Sequence, residues 1–177
     1  ERLDYTNGIP QKITALEHVL DINSHLVGQV GMIQVAVPSR QSVQDHQDLA
    51  TNLHCQVEAL NQKYASNDYR LVHLLHQSVP FDQLITMYSA SDICFVSSIR
   101  DGMNLVSYEY VATQCERKGV LLLSVFAGAA EQLRGSVLFN PWDTDGTVEA
   151  LRQAVIMGAD ERSANEQTSE DYVLQNS

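Results

Sequence analysis

The 177-residue chain is 44% hydrophobic, enough to bury a core, and its 22 acidic side chains against 11 Lys and Arg leave a formal net charge of −11. That balance excludes a basic stripe for a nucleic-acid backbone, and no segment approaches the ~20 apolar residues of a membrane span. Cys55, Cys94 and Cys115 are odd in number and form no Cys-x-x-Cys pair, so a soluble protein of a reducing, cytoplasmic compartment is expected, without a disulfide framework or a zinc ribbon.

Apolar runs alternate with amphipathic stretches along the whole chain, the pattern of an α/β, doubly wound parallel sheet covered by helices on both faces. Pro10 can open a first helix with Ile13, Leu16 and Leu20 at helical spacing. A strand is predicted over Val30 to Val37, a long polar helix over about Ser42 to Tyr64, with Leu49, Leu53, Val57 and Leu60 on one face, and a strand over Arg70 to Leu75. Next come a short helix (Pro80 to Tyr88), a strand (Ile93 to Ser97), a helix (Leu105 to Arg117) and a strand (Val120 to Ser124). A brief helix (Gly128 to Leu133), a last strand (Ser136 to Phe139) and a closing helix (Thr147 to Met157) complete the series. The last eighteen residues carry Asp160, Glu161, Glu166, Glu170 and Asp171 and are expected to form a solvated face or a mobile end.

In such a fold ligands sit beyond the carboxyl ends of the strands, and the polar segments fall there. Arg40 follows the first predicted strand and His76 to Pro80 the second. Asp101 to Asn104 follow the third and Ala127 to Ala129 the fourth, so four loops are expected to converge on one rim. The stretch Arg100-Asp101-Gly102-Met103-Asn104-Leu105 reads as strand, tight turn, helix. A helix N-terminus offers unpaired amides and about half a positive charge, and Gly102 lets the backbone approach a ligand. Turns of this kind also serve simply to cap a helix.

Asp101-Gly102-Met103-Asn104-Leu105-Val106, with Glu109 and Tyr110 following, resembles the donor-site motif of retaining nucleotide-sugar glycosyltransferases with two Rossmann-like domains (the GT-B type), and most closely the trehalose-6-phosphate synthase family. Arg2-Leu3-Asp4-Tyr5-Thr6-Asn7-Gly8-Ile9-Pro10, His76-Gln77-Ser78-Val79-Pro80, Phe126-Ala127-Gly128-Ala129-Ala130 and Asn140-Pro141-Trp142 fit the same family in the expected order. The resemblance covers about residues 1 to 160, expected to form the donor-binding domain, and leaves 161–177 as an acidic segment, helical or mobile. The chain starts inside a motif and without Met, as expected of a piece of a longer protein.

What the resemblance implies is transfer of glucose from UDP-glucose to glucose 6-phosphate with retention, with no metal and no cofactor. Arg2 would contact the donor diphosphate and Val79 would lie in the loop against the uracil. Asp101 and the amides of Gly102, Met103, Asn104 and Leu105 would hold the transferred glucose and its phosphate, Glu109 the ribose, and Arg40 the acceptor phosphate. Arg2 and Asp101 are the candidate catalytic residues. Asn7 stands where the family has a lysine that shares the phosphate role, so a catalytically impaired regulatory or scaffold module of a trehalose-pathway protein is the alternative. An N-terminal domain would supply the acceptor site, and a trehalose-synthesis complex or a homo-oligomer is implied as a further partner. No Gly-x-Gly-x-x-Gly opens a helix, which argues against a dinucleotide, and His73 with His76 reads as a partly buried pair at a strand end.

Overall fold

The computed structural model describes residues 1–39, 44–64, 66, 69–114 and 116–175. The chain divides into two units, Glu1–Val79 and Pro80–Ser177, and each is an α/β arrangement of parallel strands alternating with helices.

In the first unit, α1 (Ile9–Ile22) has Pro10 in its opening turn, where a missing N–H costs no helical bond. Ile9, Ile13, Leu16 and Leu20 are buried along one stripe. Helix α1 packs with α2 (Gln44–Lys63), whose Leu53, Val57 and Leu60 are buried in turn. Polar groups tie the two helices together: Gln56 Nε2 donates to Thr14 Oγ1 at 3.0 Å, and Lys63 reaches Glu17 and Asp21. Strands β1 (Met32–Val35) and β2 (Val72–Leu75) pair in parallel with Met32 opposite Val72 and Val35 opposite Leu75. Both are shorter than the apolar runs that contain them. The start of β2 is fixed to α2 by Asn61, a buried side chain that donates to the Val72 carbonyl at 3.0 Å and accepts from its amide at 2.8 Å. Beyond the end of β1 the N-terminal segment runs parallel to Val37, with Leu3 N donating to Val37 O and Val37 N to Glu1 O, both at 2.8 Å.

In the second unit, β3 (Ile93–Val96), β4 (Val120–Ser124) and β5 (Val137–Phe139) form a parallel sheet in that order. Alternation along the strands sends Val96, Leu121 and Leu123 to one face, where they pack with Tyr110 and Val111 of α4 (Leu105–Ala112) and Tyr172 and Val173 of α6 (Ala159–Gln175). Ile93, Val120 and Val137 face the other way, onto Ala154 and Met157 at the end of α5 (Thr144–Ile156). Every residue of β4 is buried, as a strand covered on both faces requires. Helix α3 (Phe81–Ala90) packs beside α4.

Three features depart from the sequence reading. Helix α4 stops at Ala112 rather than Arg117, because the buried Gln114 side chain takes over backbone groups: its Nε2 donates to Tyr88 O at 2.7 Å and its Oε1 accepts from Gly119 N at 3.0 Å. Helix α5 begins at Thr144 rather than Thr147, capped by Asp143 accepting from Gly146 N at 3.0 Å. The acidic end is a helix with a buried side: Glu166 and Ser169 are buried, Lys118 Nζ donates to Glu166 Oε2 at 2.8 Å, and of the expected acidic set Asp160, Glu161 and Asp171 are exposed. Gly135 permits this docking, since a side-chain carbon on it would lie 1.7 Å from the Asn165 carbonyl oxygen.

No helix among the described residues is long and apolar enough to cross a membrane.

Candidate functional site

In the first unit, residues 2 to 8 form a tight turn built on Asp4. Its Oδ1 accepts from Thr6 N (3.0 Å), Thr6 Oγ1 (2.8 Å) and Asn7 Nδ2 (2.8 Å), the local carboxylate-to-backbone pattern that Asp supports in turns. Asn7 Nδ2 also donates to Arg2 O at 2.8 Å, so its amide binds the two ends of the turn together. Gly8 then enters α1 in the left-handed region, with φ 62°. The Arg2 side chain is 71% exposed, and Asp4, at 3.5 Å, is its ion-pair partner among the described residues. A guanidinium presented in this way keeps most of its five donors turned to solvent, which suits an oxyanion ligand.

At the carboxyl end of β2, His76 meets His54 of α2, with Nδ1 and Nε2 3.2 Å apart. The sequence paired it with His73. Three residues apart on and just beyond a strand, the two imidazoles leave on opposite faces, and His73 is exposed. Burial, and next the charge of His54, hold the His76 pKa below its ordinary value. Val79 is half-buried in the loop that follows. Arg40 lies outside the described residues.

In the second unit, the loops after β3 and β4 are joined. Asp101 and Ala127 form a parallel bridge, with Asp101 N donating to Phe126 O (3.2 Å), Gly128 N to Asp101 O (3.0 Å) and Ala129 N to Met103 O (3.0 Å). The Asp101 carboxylate works inside its own turn: Oδ2 accepts from Asn104 Nδ2 at 2.9 Å and Oδ1 from Met103 N at 3.3 Å. Asn104 is left-handed, with φ 73°, and caps α4 through Oδ1, which accepts from Ser107 N (3.0 Å) and Ser107 Oγ (2.7 Å). Leu105 and Val106 are the first two helical residues, so their amides have no helical carbonyl behind them and form the positive end of the helix dipole. A side-chain carbon on Gly102 would meet nothing within 4 Å. Met103, Leu105 and Phe126 expose apolar side chains around this polar turn. Glu109, one helical turn past Leu105, accepts from the Tyr88 hydroxyl at 3.4 Å.

Asp101, Gly102, Met103, Asn104 and Leu105 are thus brought into one turn, with Glu109 on the helix they open. Arg2 and Asn7 share another, in the first unit. Asp4, Tyr88 and the left-handed cap of Asn104 were missed in the sequence. The Asp4-x-Thr6 spacing is a readable turn signal, whereas Tyr88 to Glu109 is a contact between helices that no local pattern carries. Among the described residues no group of three or more His, Cys, Asp or Glu side chains is placed to hold a metal ion.

Residues 1–177 match the model of glycosyltransferase family 20. The UDP-forming alpha,alpha-trehalose-phosphate synthase 2 of Aspergillus niger is 53% identical over 163 residues, 92% of this chain and 34% of that protein. The corresponding UDP-forming synthase of Schizosaccharomyces pombe is 46% identical over 173 residues, 98% of this chain and 34% of that one. Among solved structures, the E. coli trehalose-6-phosphate structure bound with UDP-2-fluoro glucose superposes with a TM-score of 0.95 at 35% identity, covering 100% of this chain and 40% of its own. The UDP-forming synthase of Burkholderia xenovorans in complex with glucose-6-phosphate gives 0.95 at 34% identity, over 99% and 39%. The chain therefore spans about a third of the length of the curated relatives it matches, and it has the Rossmann-like α/β fold of these GT-B structures. Matched by the family model from end to end, the chain belongs to glycosyltransferase family 20.

Proposed function

We propose that this chain is the donor-binding part of a UDP-forming trehalose-6-phosphate synthase, an enzyme that moves glucose from UDP-glucose to glucose 6-phosphate with retention. The observation that carries the reading is the joined pair of loops at Asp101 and Ala127, which presents a helix N-terminus, two amides without helical partners and an open Gly102, with Glu109 on the helix that follows. In this reading the amides at the start of α4 meet phosphate and sugar oxygens, Asp101 orients the turn and meets the glucose, and Glu109 meets the ribose hydroxyls. Arg2 meets the diphosphate, Val79 the base, and Arg40 the acceptor phosphate. The support for UDP-glucose and glucose 6-phosphate is the pair of ligands held by the E. coli and Burkholderia relatives.

The transfer breaks the bond from the anomeric carbon to the diphosphate oxygen and forms a bond to the acceptor hydroxyl oxygen on the same face. The acceptor proton passes to the departing phosphate, giving UDP and trehalose 6-phosphate. Arg2 and the helix amides stabilise the negative charge that develops on the leaving group, and the reading assigns no metal or cofactor to the step. An acceptor hydroxyl has to lie about 3–3.5 Å from the anomeric carbon, and its site is assigned to an N-terminal domain, so the chain alone is expected to bind nucleotide without turnover. The free, exposed Cys55 suits a cytoplasmic setting. Relatives named as synthases at 46–53% identity favour this reading over a regulatory module.

Titration of the labelled protein with UDP, followed by nuclear magnetic resonance, tests it. Shifts are expected at Gly102 to Val106, Glu109 and Arg2, and Glu109→Ala should weaken uridine as well as UDP. No shifts at millimolar UDP, or shifts confined elsewhere, would overturn the assignment.

A further inference from the structure

His54 and His76 come from different elements of the first unit, the middle of α2 and the loop after β2. Their Nε2 and Nδ1 atoms nevertheless lie 3.2 Å apart, with ring centroids 5.3 Å apart and planes tilted by 54°. Among the described residues each ring has the other as its hydrogen-bond partner, and neither ring is held by a carboxylate or a carbonyl.

The spacing fits a shared ion. Two imidazoles bound to one tetrahedral zinc at about 2.0–2.1 Å place their ligating nitrogens about 3.3 Å apart and their ring centroids about 5.2 Å apart. The geometry is also set in advance by the fold. Leu53, next to His54, is buried at 1% exposure, and the two hydrogen bonds between Asn61 and Val72 fix α2 against β2 four residues before His76. His54 is exposed and His76 half-buried, so an ion enters without opening the fold. With no third protein ligand among the described residues, water completes the shell.

We infer that His54 and His76 form a two-imidazole site for a borderline divalent transition ion of the zinc, nickel and copper class. Imidazole nitrogen suits these ions, and the hard magnesium and calcium ions are rejected. The ion would tie α2 to the loop after β2. Neither histidine is assigned to the donor, although the loop after β2 also carries Val79.

Calorimetric titration of the metal-free protein with nickel, in a buffer that does not chelate, provides the test. Saturable uptake is expected, weakened at least about tenfold by His54→Ala and by His76→Ala, since even outer-shell changes at metal sites bring losses of that size. Cys55→Ser and His73→Ala should leave uptake unchanged, which separates this pair from its neighbours. Nickel should broaden the ring signals of His54 and His76 in the unmutated protein, a readout independent of how the variants fold. Zinc should raise the melting temperature of the unmutated protein and not that of the double variant. No saturable uptake, uptake indifferent to both His substitutions, or uptake lost with Cys55→Ser would overturn the inference.

Discussion

A side-chain carbon on Gly128 would lie 2.1 Å from the carbonyl oxygen of Gly102 and 2.8 Å from its carbonyl carbon. Backbone meets backbone there, and the bonds from Gly128 N to Asp101 O and from Ala129 N to Met103 O close the gap. The loop after β4 thus acts as a wall that fixes the turn opening α4. Gly128→Ala should cost about 1–3 kcal/mol, the range for overpacking against atoms that cannot rotate away, and should weaken UDP binding. Gly102→Ala has open space around it. Its stability should stay within about 0.5 kcal/mol of the parent, while UDP binding should fall on the proposed reading that the donor approaches Gly102. Denaturant unfolding and calorimetry with UDP read both, and equal stability losses at the two glycines would contradict the wall.

Asn104 holds a left-handed backbone and caps α4 at the same time. Asn104→Gly removes the side-chain bonds to Asp101 and Ser107 but keeps the backbone free to adopt its φ. Asn104→Ala removes both advantages. The alanine variant should be the less stable by about 1–2 kcal/mol, the left-handed penalty of a residue with a Cβ. Urea unfolding with an unchanged slope measures this gap, and its absence would mean that the turn relaxes to another backbone.

The strands were legible in the sequence because apolar runs bounded by polar turns leave little choice, and the loops after β3 and β4 were legible because Asp-Gly and Ala-Gly-Ala mark them. Helix ends were not. Gln114 looks like an ordinary helical residue until its amide is seen replacing backbone partners at Tyr88 and Gly119. Glu166 is equally opaque, since one buried carboxylate in an acidic stretch is decided by Lys118, forty-eight residues away. The partner of His76 likewise lies on another element. Local pattern specified the elements, and contacts distant in sequence specified where several of them end.

Glu166 is held above the ordinary carboxyl pKa by burial, against the pull of Lys118 and with the help of Glu170 and Asp171. A raised pKa means that the folded chain binds the proton more tightly than the unfolded chain. Glu166 therefore adds stability below the ordinary carboxyl range, and that contribution is lost as pH rises through the folded value. Glu166→Gln mimics the protonated form. It should melt above the parent at neutral pH, and the difference should shrink as pH falls into the ordinary carboxyl range. Scanning calorimetry from neutral to acidic pH checks the sign, and a variant less stable than the parent at neutral pH would show that the Lys118 bond outweighs burial.

Asn7 stands in the turn with Arg2, donating to Arg2 O and to Asp4 Oδ1 at 2.8 Å each. Asn7→Lys removes these two bonds, at about 0.5–1.5 kcal/mol each, so the variant should be less stable than the parent. It also places a second cation in the turn that carries the Arg2 guanidinium. If that turn meets the donor diphosphate, UDP should bind more tightly by about 1 kcal/mol, the difference between a neutral and a charge-assisted contact. The gain should shrink with added salt, because exposed charges are screened. Uridine has no phosphate and should bind both forms equally, which separates a charge effect from a change in the fold. Calorimetry with UDP and uridine at low and high salt reads all four quantities. Unchanged UDP affinity at low salt would remove this turn from the donor site and leave Asn7 as a residue that closes the turn, with Asp4, ahead of α1.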